Sequence, residues 1–188
     1  LSGTSINVGD AITFSGANYL VAGGSNSTTI VTSNDTVDFN AGTIKVGEYA
    51  FTVDTDTLNG TGGSDGANIT IDGDIIGLTA TSSNTAADIS LDGGKNGIVT
   101  VQNIGHTSST DNTEINEVTL SGATISTNGK INTHDNTASD KGTVTITGNL
   151  SLVGNTTIET DRHSSTTRDG NITLSLIHIS EPTRLRRI

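Results

Sequence analysis

The chain has 188 residues, 23 of them Gly, a formal net charge of −11, and no Cys, Met or Trp. That acidity, with aromatics at 3%, leaves neither a basic stripe nor a stacking platform, which argues against nucleic acid and anionic membranes as partners. Thiolate zinc and iron–sulfur centres are excluded, and 31% hydrophobic residues are too few for a thick globular core, though enough for a thin aliphatic column.

Residues 1–64 carry short strand-like runs: Ala11-Ile12-Thr13-Phe14, Tyr19-Leu20-Val21, Thr29-Ile30-Val31, Val37-Asp38-Phe39, Ile44-Lys45-Val46 and Ala50-Phe51-Thr52-Val53. All the aromatics (Phe14, Tyr19, Phe39, Tyr49, Phe51) fall here and read as core and corner packing rather than as a sugar-binding platform. Two arrangements fit this less regular β-rich segment. One is a small sandwich-like module with hairpins; the other is irregular coils of a longer shaft.

From residue 65 to 173 one phrase recurs: a turn of Gly, Asp or Asn, then two aliphatic residues separated by a polar one. Copies are Asn68-Ile69-Thr70-Ile71-Asp72-Gly73, Asp88-Ile89-Ser90-Leu91-Asp92-Gly93, Gly142-Thr143-Val144-Thr145-Ile146 and Gly170-Asn171-Ile172-Thr173-Leu174. Alternation puts both aliphatic side chains on one face of a very short strand. Such a strand cannot stand alone, so the reading is an all-β solenoid, a parallel β-helix in which each turn is held by its neighbours. Ile69, Ile71, Ile89, Leu91, Val118, Leu120, Val144, Ile146, Leu150 and Leu152 are expected to point inward. Thr70, Ser90, Thr119, Thr145 and Ser151 are expected to point out. No stretch has helical periodicity, so no helix longer than a turn or two is expected.

A longer repeat lies over the short one. Val53-Asp54-Thr55-Asp56, a loop and Ser64-Asp65-Gly66 lead into Ile69. Ile131-Asn132-Thr133-His134-Asp135, a loop and Asp140-Lys141-Gly142 lead into Val144, and Ile158-Glu159-Thr160-Asp161, a loop and Arg168-Asp169-Gly170 lead into Ile172. Acidic loops of this kind suit Ca²⁺, which takes six to eight oxygen ligands. The candidate ligands are Asp54, Asp56, Asp65, Asp161 and Asp169. Gly62-Gly63-Ser64-Asp65-Gly66 is only a partial, untandem version of the calcium-binding nonapeptide. Asp and Asn also cap turns through their own backbone, so the expectation is no cofactor, with structural Ca²⁺ the alternative.

His106, His134 and His163 each sit in a polar loop, without a second His at ligand spacing, and read as solvated. Glu114/Glu117 and Asp54/Asp56 are carboxylate pairs that a polysaccharide-cleaving β-helix would need. The aromatics and basic residues that line such grooves are missing, so no enzyme is expected and no catalytic residue is assigned. Asn-x-Ser/Thr matches (Asn26, Asn34, Asn59, Asn68, Asn149, Asn155, Asn171) follow from composition alone.

The style breaks at residue 174. Leu174-Ser175-Leu176-Ile177-His178-Ile179-Ser180-Glu181-Pro182-Thr183-Arg184 resembles a translated frame of a transposase sequencing adapter, and holds the only Pro. Residues 174–188 are therefore expected to be a non-native tail outside the repeating core, and the chain a fragment of a longer gene. Without them Lys+Arg falls from 9 to 6 and Asp+Glu from 20 to 19, leaving about −13.

Gly148-Asn149-Leu150-Ser151-Leu152-Val153-Gly154-Asn155-Thr156-Thr157-Ile158-Glu159-Thr160-Asp161, followed by Asp169-Gly170-Asn171-Ile172-Thr173-Leu174, resembles the β-strand-repeat regions of large bacterial surface adhesins. These are the filamentous-haemagglutinin-like and autotransporter-like proteins. The resemblance covers about 65–173. It implies a right-handed parallel β-helix shaft, export to the bacterial cell surface and a structural or adhesive role. A surface ligand, such as a host or matrix glycan or protein, is the implied partner, and no membrane insertion is expected in this segment. The alternatives are a calcium-dependent extracellular repeat protein and, third, a polysaccharide-active β-helix enzyme.

Overall fold

A computed structural model describes residues 5–21, 26–40, 42–47, 49–56, 65–77, 87–105, 115–133, 142–160 and 170–175. The described residues are strands and turns with no helix. One coil runs through β1 (Ser5–Val8), β2 (Ile12–Phe14) and β3 (Asn18–Val21). The next runs through β4 (Thr28–Thr32), β5 (Val37–Phe39) and β6 (Thr43–Val46). Then come β7 (Phe51–Asp54), β8 (Ile69–Ile71) and β9 (Ile75–Gly77), followed by β10 (Ala87–Asp92), β11 (Ile98–Val101) and the bridging residue Ile104. β12 (Ile115–Thr127) and β14 (Thr143–Leu152) each sweep through two sides of a coil before β13 (Lys130–Asn132) and β15 (Thr157–Glu159), and β16 (Ile172–Ser175) opens another turn.

Every strand pairing among the described residues is parallel, and each strand lies on the equivalent strand of the coil before it. This is a β-solenoid with three sides. The first side carries β1, β4, β7, β10, the opening halves of β12 and β14, and β16. The second carries β2, β5, β8, β11 and the closing halves of β12 and β14; the third carries β3, β6, β9, β13 and β15. The first two sides form one eleven-stranded sheet because β12 and β14 bend through the corner between them. The bend is a bulge: Gly122 and Ala123 face Gly148 alone, where the register slips between Ser121 and Thr124. At Gly148 φ is 132°, a conformation that only Gly adopts without strain.

Period-2 alternation becomes columns. On the first side, register aligns Ile6, Ile30, Val53, Leu91, Leu120, Ile146 and Leu174. On the second it aligns Phe14, Phe39, Ile71, Val101, Thr127 and Leu152. On the third it aligns Tyr19, Ile44, Ile75, Ile104, Ile131 and Ile158. Removing each Ile, Leu or Val from water contributes about 1.5–3 kcal/mol, so a thin column holds the stack. Phe14 and Phe39 stack with centroids 4.4 Å apart, and Tyr19 and Phe51 meet Phe39 edge-on. Phe14, Tyr19, Phe39 and Phe51 thus pack together in the first coils, while Tyr49 is exposed.

Nine of the ten expected inward residues are buried: Ile69, Ile71, Ile89, Leu91, Val118, Leu120, Val144, Ile146 and Leu150. Leu152 is not, at 52% exposed. Its parity is inward, opposite buried Thr127, but β16 covers β14 only over Val144–Thr147, so nothing in the described coils lies over it. Thr70, Ser90, Thr119 and Thr145 are more exposed than their aliphatic neighbours, whereas Ser151 is more exposed than Leu150 but less than Leu152. In the N-terminal third the pairing is that of coils rather than hairpins. Across the 64/65 boundary β5 pairs β8 and β7 pairs β10 without a break. At the other boundary, Leu174 and Ser175 continue the first side opposite Ile146 and Thr147, because Leu174 keeps the alternation going. Residues 176–188 lie outside the described residues.

The longer repeat is corrected in one respect. Its second and third copies do stack, since β13 pairs β15 and the Thr133 N–H bonds to Glu159 O. The copy starting at Val53 sits one corner on, between the first and second sides. These three corners share a Thr after the strand and a Gly before the next, Thr55 and Gly66, Thr133 and Gly142, Thr160 and Gly170, so the phrase recurs at corners that are not neighbours.

Candidate functional site

The candidate residues Asp54, Asp56 and Asp65 come together at the corner between β7 and β8. Asp54 ends β7 on its outward face, directly opposite Asp92 at the end of β10. The two carboxylates do the same job. Asp54 Oδ1 accepts the Asp56 N–H and Asp92 Oδ1 accepts the Gly94 N–H, both at 2.9 Å, closing an Asx turn that reverses the chain.

Between them sits Thr55, fully buried. Its Oγ1 accepts the Ala67 N–H at 3.0 Å and donates to Ala67 O at 2.9 Å. One hydroxyl therefore satisfies both backbone groups of the residue that re-enters the coil after the 57–64 segment. Asp65 forms an ion pair with Lys95 at 2.8 Å, and Asp65 O accepts the Asn96 N–H at 2.7 Å. The Lys95 hydrogen bond and charge hold the Asp65 carboxyl below the usual carboxylate range, with Asn96 adding to the effect. Both side chains are about two-thirds exposed, so water screens the pair.

Beside this corner, the Asp56 and Lys95 turns and the bends at Gly122 and Gly148 line an open depression of about 440 Å³, with Asp92, Thr147 and Asn149. It holds two carboxylates, one ammonium and neutral groups, with no aromatic among its lining residues.

Asp161 and Asp169 lie outside the described residues, and their neighbours Thr160 and Gly170, bonded Oγ1 to O at 3.1 Å, belong to the corner between β15 and β16. His106, His134, His163 and Glu114 also lie outside the described residues. Glu117 faces out on β12 between Asp88 and Thr143. Among the described residues no group of three or more His, Asp or Glu is placed to hold a metal ion.

Sequence reasoning missed a set of fasteners. Asn34 Oδ1 accepts the Gly66 N–H, Asn68 Oδ1 the Ile98 N–H and Asn103 Oδ1 the Lys130 N–H, each at 2.8 Å and each from the following coil. Asn34 takes a left-handed conformation, φ 63°, to do so. Their shared signal is an Asn in the turn beside a strand. Compared with known protein families, curated proteins and solved structures, the chain finds no match.

Proposed function

We propose that this chain is a segment of the structural shaft of a secreted or surface-anchored bacterial adhesin-like protein. Its role is mechanical. Each coil adds a strand spacing of about 4.7–4.9 Å to the length of the stack. Backbone pairing resists shear between coils, while the acidic surface keeps the rod soluble. The observation that carries the reading is the unbroken third-side column Tyr19, Ile44, Ile75, Ile104, Ile131 and Ile158, which runs from coil to coil without a polar interruption. The corners between coils vary while the columns do not, as expected of a scaffold whose length is its output. The ligand, a host or matrix glycan or protein, would be met at the cell surface, outside the bacterium.

Antibodies raised against residues 65–160 test the placement. They should label intact, unpermeabilised cells of the bacterium that carries the gene. Labelling that appears only after lysis would overturn the reading.

A further inference from the structure

The chain holds three Asn-Gly dipeptides, Asn59-Gly60, Asn96-Gly97 and Asn128-Gly129, and the first lies outside the described residues. The other two occupy turns of successive coils, after β10 and after β12, and the fold treats them differently. Asn96 is held on both sides. Its N–H bonds to Asp65 O at 2.7 Å, its side-chain amide donates to the Asp65 carboxylate, and the Gly97 N–H bonds to Gly93 O at 3.0 Å. Asn128 is exposed, and among the described residues neither its carboxamide nor the Gly129 N–H has a hydrogen-bond partner.

Gly129 is also fixed by its surroundings. Its φ is 150°, and a Cβ there would stand 2.4 Å from Asn103 Oδ1, the atom that accepts the Lys130 N–H. The fastener between coils therefore requires the one residue that leaves its own nitrogen unshielded by a side chain.

We infer that Asn128-Gly129 is a site of spontaneous covalent modification in the folded chain, and that Asn96-Gly97 is protected from the same reaction. The Gly129 nitrogen, its proton taken by hydroxide, attacks Asn128 Cγ. The new C–N bond closes a five-membered succinimide, the Cγ–Nδ2 bond breaks, and the side-chain nitrogen leaves as ammonia with a proton from water. The attack is intramolecular, between groups already adjacent, so no enzyme is needed. Water then opens the ring at one carbonyl to give aspartate, or at the other to give isoaspartate, whose main chain is one carbon longer. That extra carbon falls between two bonds that tie this coil to its neighbours, Asn128 N–H to Val101 O at 3.2 Å and Thr157 N–H to Gly129 O at 3.1 Å. At Asn96 the Gly97 N–H must first leave Gly93 O, and the amide must leave Asp65, before either can react.

The test is incubation of the whole chain at mildly alkaline pH, folded and in urea, followed by trypsin and mass spectrometry. One tryptic peptide, residues 96–130, carries both described pairs, and Asn59-Gly60 falls in another, so fragment masses assign each conversion. In the folded chain Asn128 should convert several-fold faster than Asn96. In urea the two rates should converge, because the restraints on Asn96 are gone. Asn128→Gln should remove the folded-state product from this peptide and leave the urea product at Asn96, with far-UV spectra checking that the variant folds. Equal rates in the folded chain, faster conversion at Asn96, or no product at Asn128 over a time that converts it in urea would each overturn the inference. A preference for Asn128 that persists unchanged in urea would overturn it too, since the fold would not be its cause.

Discussion

Asn103 donates from Nδ2 to Asp74 Oδ1 at 2.9 Å while its own Oδ1 accepts the Lys130 N–H at 2.8 Å, so one amide spans three successive coils. A carboxamide carries its donor and its acceptor on two separate branches, so the two bonds can run to opposite sides. Asn103→Ala should lower stability by about 1–2 kcal/mol, the range for losing partly solvated hydrogen bonds. Asn103→Asp keeps the acceptor but sets a carboxylate against Asp74, so at pH 7 it should be worse than Ala. That deficit should shrink at acid pH, where protonation of one of the two carboxyls removes the repulsion. Urea denaturation at two pH values reads both, and an Asp variant as stable as wild type at pH 7 would contradict the assignment.

Two buried threonines should respond to Val with opposite signs. Thr55→Val orphans the N–H and C=O of Ala67, at a cost of about 1–3 kcal/mol. Thr127 is fully buried in the column between Val101 and Leu152, with no partner for its Oγ1, so Thr127→Val should raise stability by about 1 kcal/mol. The midpoint of urea unfolding at constant slope decides. Equal effects at the two sites would mean the hydroxyl at residue 55 is not the clasp.

The strands were legible because alternation such as Ile69-Thr70-Ile71 has one physical reading, two side chains into a core and one out. Which corner each loop occupies was not legible, since Thr55 and Thr160 stand in similar phrases yet serve different corners. The Asn fasteners were hidden for a related reason. An Asn that caps its own turn and one that reaches the next coil, about thirty residues on, look alike in sequence. Burial of Leu152 depends on whether a further coil covers it, which alternation along one strand does not encode.

Residues 115–142 include β12 and β13, the described part of one coil, and the coils on either side share its columns. Excising them in frame sets β14 on β10, Ile146 replacing Leu120 over Leu91. A stack held by nearest neighbours should tolerate this, giving a folded, shorter β-rich chain of lower stability. Far-UV spectra and the radius of gyration measure it. An unfolded product would show that this coil is not interchangeable.

The Asp65–Lys95 pair sets a modest acid dependence. Because the folded pKa of Asp65 is depressed, its contribution is present above the unfolded carboxylate value and is lost as pH falls through the lower folded value. Lys95→Met should move the Asp65 titration back up toward the ordinary range, seen by NMR, with little change in the unfolding midpoint since the pair is exposed. The difference should fade in high salt. An Asp65 titration unmoved by Lys95→Met would remove Lys95 as the cause.

The last prediction concerns calcium. Asp54 accepts within its own turn and Asp65 pairs with Lys95, while Asp161 and Asp169 lie outside the described residues, so among the described candidates these two carboxylates already serve a turn and an ion pair. A chelator should therefore leave the far-UV spectrum and Tm unchanged. Any divalent ion will stabilise a chain of charge −11 slightly, by screening its self-repulsion. The informative comparison is Ca²⁺ against Mg²⁺, because the smaller ion dehydrates reluctantly and fits carbonyl-rich cages poorly. Equal, small rises in Tm are expected. A specific site would instead give a rise with Ca²⁺ alone, growing by mass action past its Kd. If that rise vanished in Asp65→Asn and Asp169→Asn, the acidic corners would be ligands and the calcium-dependent reading would replace the plain shaft.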